Sequence, residues 1–111
     1  MDKDKEYKVD YLDAAMDDLK SLDGSQRIQV LKAINRVKAN PLPKSEGGYG
    51  QPLGNVSGSN LTGLCKIKLL KLGIRVVYKL IRENNIMSIV VIAARADSQV
   101  YQIAEDRTKE T

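Results

Sequence analysis

The sequence contains no histidine, no tryptophan, no phenylalanine and a single cysteine. Without histidine there is no Ser-His-Asp triad, no Cys-His dyad and no paired-histidine ribonuclease site. One cysteine and no histidine also exclude structural zinc, and a lone cysteine forms no internal disulfide. Carboxylate-bound Mg²⁺ stays open, but proton transfer must fall to Lys, Arg, Tyr, Asp or Glu. No apolar run reaches the roughly 18 residues of a membrane span, and MDKDKEYK at the start lacks the apolar segment of a secretory signal. These absences lead us to expect a soluble, cytoplasmic protein. With Phe and Trp missing, the core must be aliphatic. Apolar residues make up 42 % of the 111, which suits one domain over residues 1–111.

Negative charge is also missing from one stretch. Between Leu64 and Arg82 there are six bases and no acid, a local +6. Residues 1–23 carry −4, residues 24–63 carry +4 and residues 83–111 carry −2, for +4 overall. So local a positive block suggests a surface that faces a polyanion, most simply nucleic acid. A basic face that is merely solvated is the other reading.

Tyr7 to Leu12 alternates apolar and polar residues, the period of a half-buried strand. From Asp13 the period becomes helical, with Leu12, Ala15, Met16 and Leu19 inward, Asp13 as cap, and Asp17 and Asp18 in water. After a turn at Leu22–Ser25, a second helix is predicted from Gln26 to Ala39, capped by Ser25 or Asp23. Its apolar stripe is Ile28, Leu31, Ile34 and Val37. Residues 40–63 hold six of the eight glycines and all three prolines, so they read as a long loop, mostly a surface connection that leads into the basic stretch. Strands are predicted at Leu64–Leu70, Ile74–Ile81 and Ile86–Ala94, the last apolar on both faces and therefore central. Gly73 and Asn84-Asn85 mark the turns between them. Asp97 or Ser98 caps a last helix to about Arg107, and 108–111 is a loose tail. The order β-α-α-β-β-β-α implies an α+β domain with a mostly antiparallel sheet and its helices on one face.

Residues two apart on a strand share a face. Lys66 and Lys68 therefore point one way, and Cys65, Ile67 and Leu69 the other. A short turn at Lys71–Gly73 sets Arg75 nearly opposite Lys68. Like charges across a strand pair destabilise it, and a bound anion would offset that cost. With helices on the Cys65 face, the cationic face is expected to lie open and Cys65 to pack inward as a small hydrophobe. Arg95 ends the last strand. Tyr101 lies about one turn into the final helix, beside a core stripe of Val100, Ile103 and Ala104, partly exposed.

The run Lys66-Ile67-Lys68-Leu69, then Gly73-Ile74-Arg75-Val76-Val77-Tyr78, then Arg95 and Val100-Tyr101 resembles the RelE family of bacterial type II toxins. The match in spacing and residue type spans about 36 residues and continues weakly through the N-terminal strand and helices. Two departures are the longer 40–63 loop and Ala94, where a second basic residue often precedes the arginine. The resemblance implies a microbial-ribonuclease-like fold and ribosome-dependent cleavage of mRNA in the A site. It implies a cognate, RelB-like antitoxin, and contact with operator DNA only through that complex, with no membrane partner. It places the catalytic set on Lys66, Lys68, Arg75, Arg95 and Tyr101. The remaining cations of the hairpin, Lys71, Lys79 and Arg82, are candidates for RNA or ribosome contact. The implied chemistry is attack by the RNA 2′-hydroxyl on its own phosphodiester, with no cofactor and no metal. Arg75 and Arg95 would stabilise charge on the phosphorane, Arg95 near the leaving group. Lys66, Lys68 and Tyr101 are the candidates for the base. Two other readings are a gyrase-binding toxin of the same fold and an inactive RNA- or protein-binding module.

Overall fold

The computed structural model describes residues 7–56 and 59–109. Strand β1 (Lys8–Tyr11) leads into helices α1 (Asp13–Lys20) and α2 (Gly24–Val37). Four strands follow, β2 (Gln51–Val56), β3 (Ser59–Leu69), β4 (Ile74–Ile81) and β5 (Ile86–Ala93), and then helix α3 (Asp97–Lys109). They form one five-stranded sheet in the order β1-β5-β4-β3-β2. β1 runs parallel to β5, and every other pairing is antiparallel. The α+β class and the mostly antiparallel sheet agree with the sequence reading. β5 is flanked on both sides, as its apolar faces require. No helix among the described residues is long and apolar enough to cross a membrane.

Three expectations are corrected. Half of the 40–63 loop is strand: β2 pairs with a β3 that begins at Ser59 instead of Leu64. Pro52 and Gly54 hid β2 from a pattern reading. An edge strand tolerates them, because one row of its N–H groups has no partner strand, and the β2–β3 register slips between those two residues. Residues 40–50 are pinned as well. Asn40 and Leu42 carbonyls accept from Tyr49 and Gly50 N–H, both at 2.9 Å. The buried Tyr78 hydroxyl donates to Pro41 O at 2.8 Å. Gly50 lies against this contact, where a Cβ would come within 2.8 Å of Pro41 O.

The second correction concerns the layers. One cluster packs Ala15, Leu19, Val30 and Ile34 of the α1–α2 hairpin on Cys65, Val76 and Ile89. Another packs Val100, Tyr101 and Ala104 of α3 on Leu64, Val77 and Val91. Alternation along β3 and β4 puts these clusters on opposite faces, so the helices cover both sides of the sheet. A bulge in β5 assists. Val77 pairs with Val91 and Tyr78 with Ile89, leaving Val90 as the extra residue. Val90 and Val91 therefore both join the α3 cluster.

The third lies in the helices. α2 turns Val30, Ile34 and Val37 to the core, spaced i, i+4, i+7. Ile28 and Leu31 are left 56 % and 41 % exposed. Asp23 caps α2 by accepting from Gln26 N–H at 2.8 Å. Asp13 sits inside α1, with Leu12 at the cap position and no side-chain bond there. Thr108 and Lys109 belong to α3; the other two residues of the expected tail lie outside the described ones.

Candidate active site

The turn between β3 and β4 is closed by Gly73 at φ +67°, and it fixes the register Lys68↔Arg75 expected from the sequence. Lys66 and Lys68 thus share a face with Arg75. That face is only partly open. α3 lies across it, so the cations line the seam between helix and sheet.

Two contacts define the seam. Lys66 Nζ donates to the Tyr101 hydroxyl at 3.0 Å and stands 5.6 Å from the ring centroid. Tyr101 is 2 % exposed, against the expectation of a partly open ring, because the same turn of α3 that buries Val100 carries it inward. The second contact supplies the counter-charge that the basic stretch lacks. Asp97, in the first turn of α3, pairs through Oδ1 with Arg75 Nε, and its Oδ2 lies 3.9 Å from Lys68 Nζ. In the sequence Asp97 reads as a helix cap. The Ala96 carbonyl instead receives the first helical bonds, from Gln99 at 3.0 Å and Val100 at 3.1 Å, and the Asp97 carboxylate turns to the cations. The only clue in the chain was its place four residues before Tyr101, on the same helix face.

Arg75 is held on further sides. Its Nη1 donates to the carbonyls of Arg95 at 2.9 Å and Gly73 at 3.3 Å. Among the described residues Nη2 has no partner. Arg95 thus joins the site through its backbone, and its side chain is exposed. The seam brings Lys66, Lys68, Arg75 and Tyr101 together with Asp97, at the edge where Arg95 enters α3.

The other three cations lie apart. Lys71, in the β3–β4 turn, shares a groove of about 610 Å³ with Lys32 and Arg36 of α2. Lys79 is exposed farther along β4. Arg82 forks onto Glu46 with two bonds of 2.8 Å. Those bonds hold the Glu46 carboxyl below the ordinary carboxylate range. A depressed carboxyl contributes stability above its unfolded value and loses it as pH falls through the folded one. Arg82→Gln should therefore raise the Glu46 midpoint in a carboxyl NMR titration. Cys65 is buried as expected, and burial pushes its thiol up, so it is a packing group.

No family model matches the chain. A RelE-like toxin protein of Escherichia coli is 28 % identical over 106 residues, covering 93 % of this chain and 98 % of that one. A mutant of E. coli toxin RelE in the free state superposes with a TM-score of 0.70 at 25 % identity, covering 91 % of this chain and 96 % of that chain. The chain is RelE-like. The fold likeness extends to the toxin–antitoxin complex RelBE2 of Mycobacterium tuberculosis, with a TM-score of 0.63, 24 % identity and coverage of 82 % and 93 %. Within this RelE-like fold, the elements that the sequence singled out occupy one seam: the β3–β4 hairpin below, the start of α3 above.

Proposed function

We propose that this chain is the toxin of a type II toxin–antitoxin pair, a metal-independent endoribonuclease that cuts mRNA in the ribosomal A site. The observation that carries the reading is the seam itself. Three cations from adjacent strands and a tyrosine from α3 meet in one partly open cleft beside Arg95.

A phosphodiester entering this seam meets Lys66, Lys68 and the unspent Nη2 of Arg75. Negative charge builds on the nonbridging oxygens as the 2′-oxygen attacks, and fixed cations lower that barrier. Arg75 suits the role because Asp97 and two carbonyls hold its guanidinium still. The exposed Arg95 is free to follow the leaving oxygen. No group here combines a neutral-pH base with an acid as histidine would, so intrinsic activity is weak. The ribosome then contributes by positioning the RNA. Antitoxin partnership follows the RelB-bound relatives, whose fold this chain shares.

Induction of the chain in bacteria tests the reading. Growth arrest with in-frame cuts in mRNA, absent with Tyr101→Ala, supports it. Arrest with DNA breaks identifies a gyrase-directed toxin, and arrest with neither kind of break leaves a binding module.

A further inference from the structure

We propose that Asp97 is the general base of this centre, the group that takes the proton from the attacking 2′-hydroxyl. This role exists only within the ribonuclease reading above, whose missing part is a proton acceptor.

The base candidates read from the sequence are engaged otherwise. Lys66 acts as donor to the Tyr101 hydroxyl, and Tyr101 itself is buried. Lys68 faces a carboxylate at 3.9 Å, the contact of an ammonium. Arginine keeps its proton above about pH 12. Asp97 is the carboxylate that meets Lys68 and Arg75. A carboxylate paired with two cations offers acceptor sites and no donor. Its side chain is 42 % exposed, so a substrate hydroxyl can reach it, and Arg75 fixes its orientation through Oδ1.

The spacing fits a base and an acid on either side of one phosphodiester. Asp97 and Tyr101 are four residues apart on one face of α3, a rise of about 6 Å. Their partners Lys68 and Lys66 are two apart on one face of β3, about 7 Å. Helix and strand therefore present two matched couples side by side. Asp97 accepts the 2′-hydroxyl proton as O2′ bonds to phosphorus. The P–O5′ bond breaks, and O5′ leaves with a proton from the Lys66 ammonium, which the buried Tyr101 hydroxyl holds in place. The products are a 2′,3′-cyclic phosphate and a 5′-hydroxyl, and the protons on Asp97 and Lys66 re-equilibrate with water.

The test is single-turnover cleavage of mRNA on programmed ribosomes by the purified full chain, as wild type, Asp97→Asn and Asp97→Glu, over roughly pH 5 to 9. The charged groups that face Asp97 are Lys68 from β3 and Arg75 from β4, with Tyr101 one turn on along its own helix. The Asn variant should lose about 100-fold or more in rate and lose the rise of rate on the acid side, and the Glu variant should recover both in part. Ribosomes carrying an uncleavable 2′-deoxy mRNA should bind the Asn variant at least as tightly as wild type, because a negative charge has gone. An Asn variant that cuts within about threefold of wild type, or faster, overturns the proposal. So does a loss of rate matched by an equal loss of binding, since Asp97 would then merely hold Arg75. A wild type that leaves every ribosome-bound mRNA uncut overturns the ribonuclease reading and this role with it. A cutting wild type with an equally active Asn variant overturns only the role of Asp97.

Discussion

Arg75→Ala should lower ribosome-dependent cleavage by about a thousandfold while leaving the fold intact. The side chain ties the Asp97 couple of the seam to the chain around it. It pairs with Asp97, spans to the Arg95 and Gly73 carbonyls, and keeps Nη2 for the phosphate. Alanine removes the phosphate donor, frees Asp97 to swing and loosens the entry to α3. Its cost to stability is small, about 1 kcal/mol, because the ion pair is partly solvated and no core contact is lost. Arg75→Lys separates charge from geometry. One ammonium cannot reach Asp97 and the Arg95 carbonyl together and still face a phosphate, so most of the loss should remain. Single-turnover cleavage with a parallel denaturation curve measures both effects. Cleavage by Arg75→Ala within about tenfold of wild type would remove this residue from the chemistry.

The second large effect falls on stability. Arg107→Ala should cost about 3 kcal/mol, read from urea denaturation. β1 covers the edge of β5 only as far as Ile89. Beyond it, the Val90 carbonyl and the Ile92 N–H would face no strand. Side chains from two helices take their place. Arg107 Nη1 donates to Val90 O at 2.8 Å and to Asp18 Oδ2 at 2.7 Å. Asp18 Oδ2 also accepts from Ile92 N–H at 3.0 Å. Both side chains are about one-fifth exposed, so water does little to screen the pair. Removing the arginine orphans a carbonyl and leaves a largely buried carboxylate without its cation. Asp18→Asn keeps the acceptor for Ile92 and should cost less. A double-mutant cycle between positions 18 and 107 should show coupling above about 1 kcal/mol; additivity would mean the two act separately.

The basic hairpin could be read in advance because its information is local. Alternation fixes which residues share a face, and a short turn fixes the register, so Lys68 opposite Arg75 follows from neighbouring residues. The counter-charge could not be found that way. Asp97 reaches Arg75 only because α3 packs on the cationic face, and that choice depends on Val100, Tyr101, Ala104 and the Val90 bulge acting together. Asp18 was hidden similarly. On α1 alone it lies on the polar side, and only the short β1 exposes the β5 edge that it fills. β2 escaped because Pro52 and Gly54 oppose strand structure, while pairing with β3 outweighs them. Ile28 and Leu31 fit a helical stripe, but three better-placed residues were enough to cover the sheet.

The most direct test of the proposed centre is the chemistry of the RNA ends produced by purified protein on programmed ribosomes. Attack by the 2′-hydroxyl within the Lys66–Lys68–Arg75–Tyr101 seam predicts a 2′,3′-cyclic phosphate upstream and a 5′-hydroxyl downstream of each cut. A 3′-hydroxyl with a 5′-phosphate, or intact message, would contradict it.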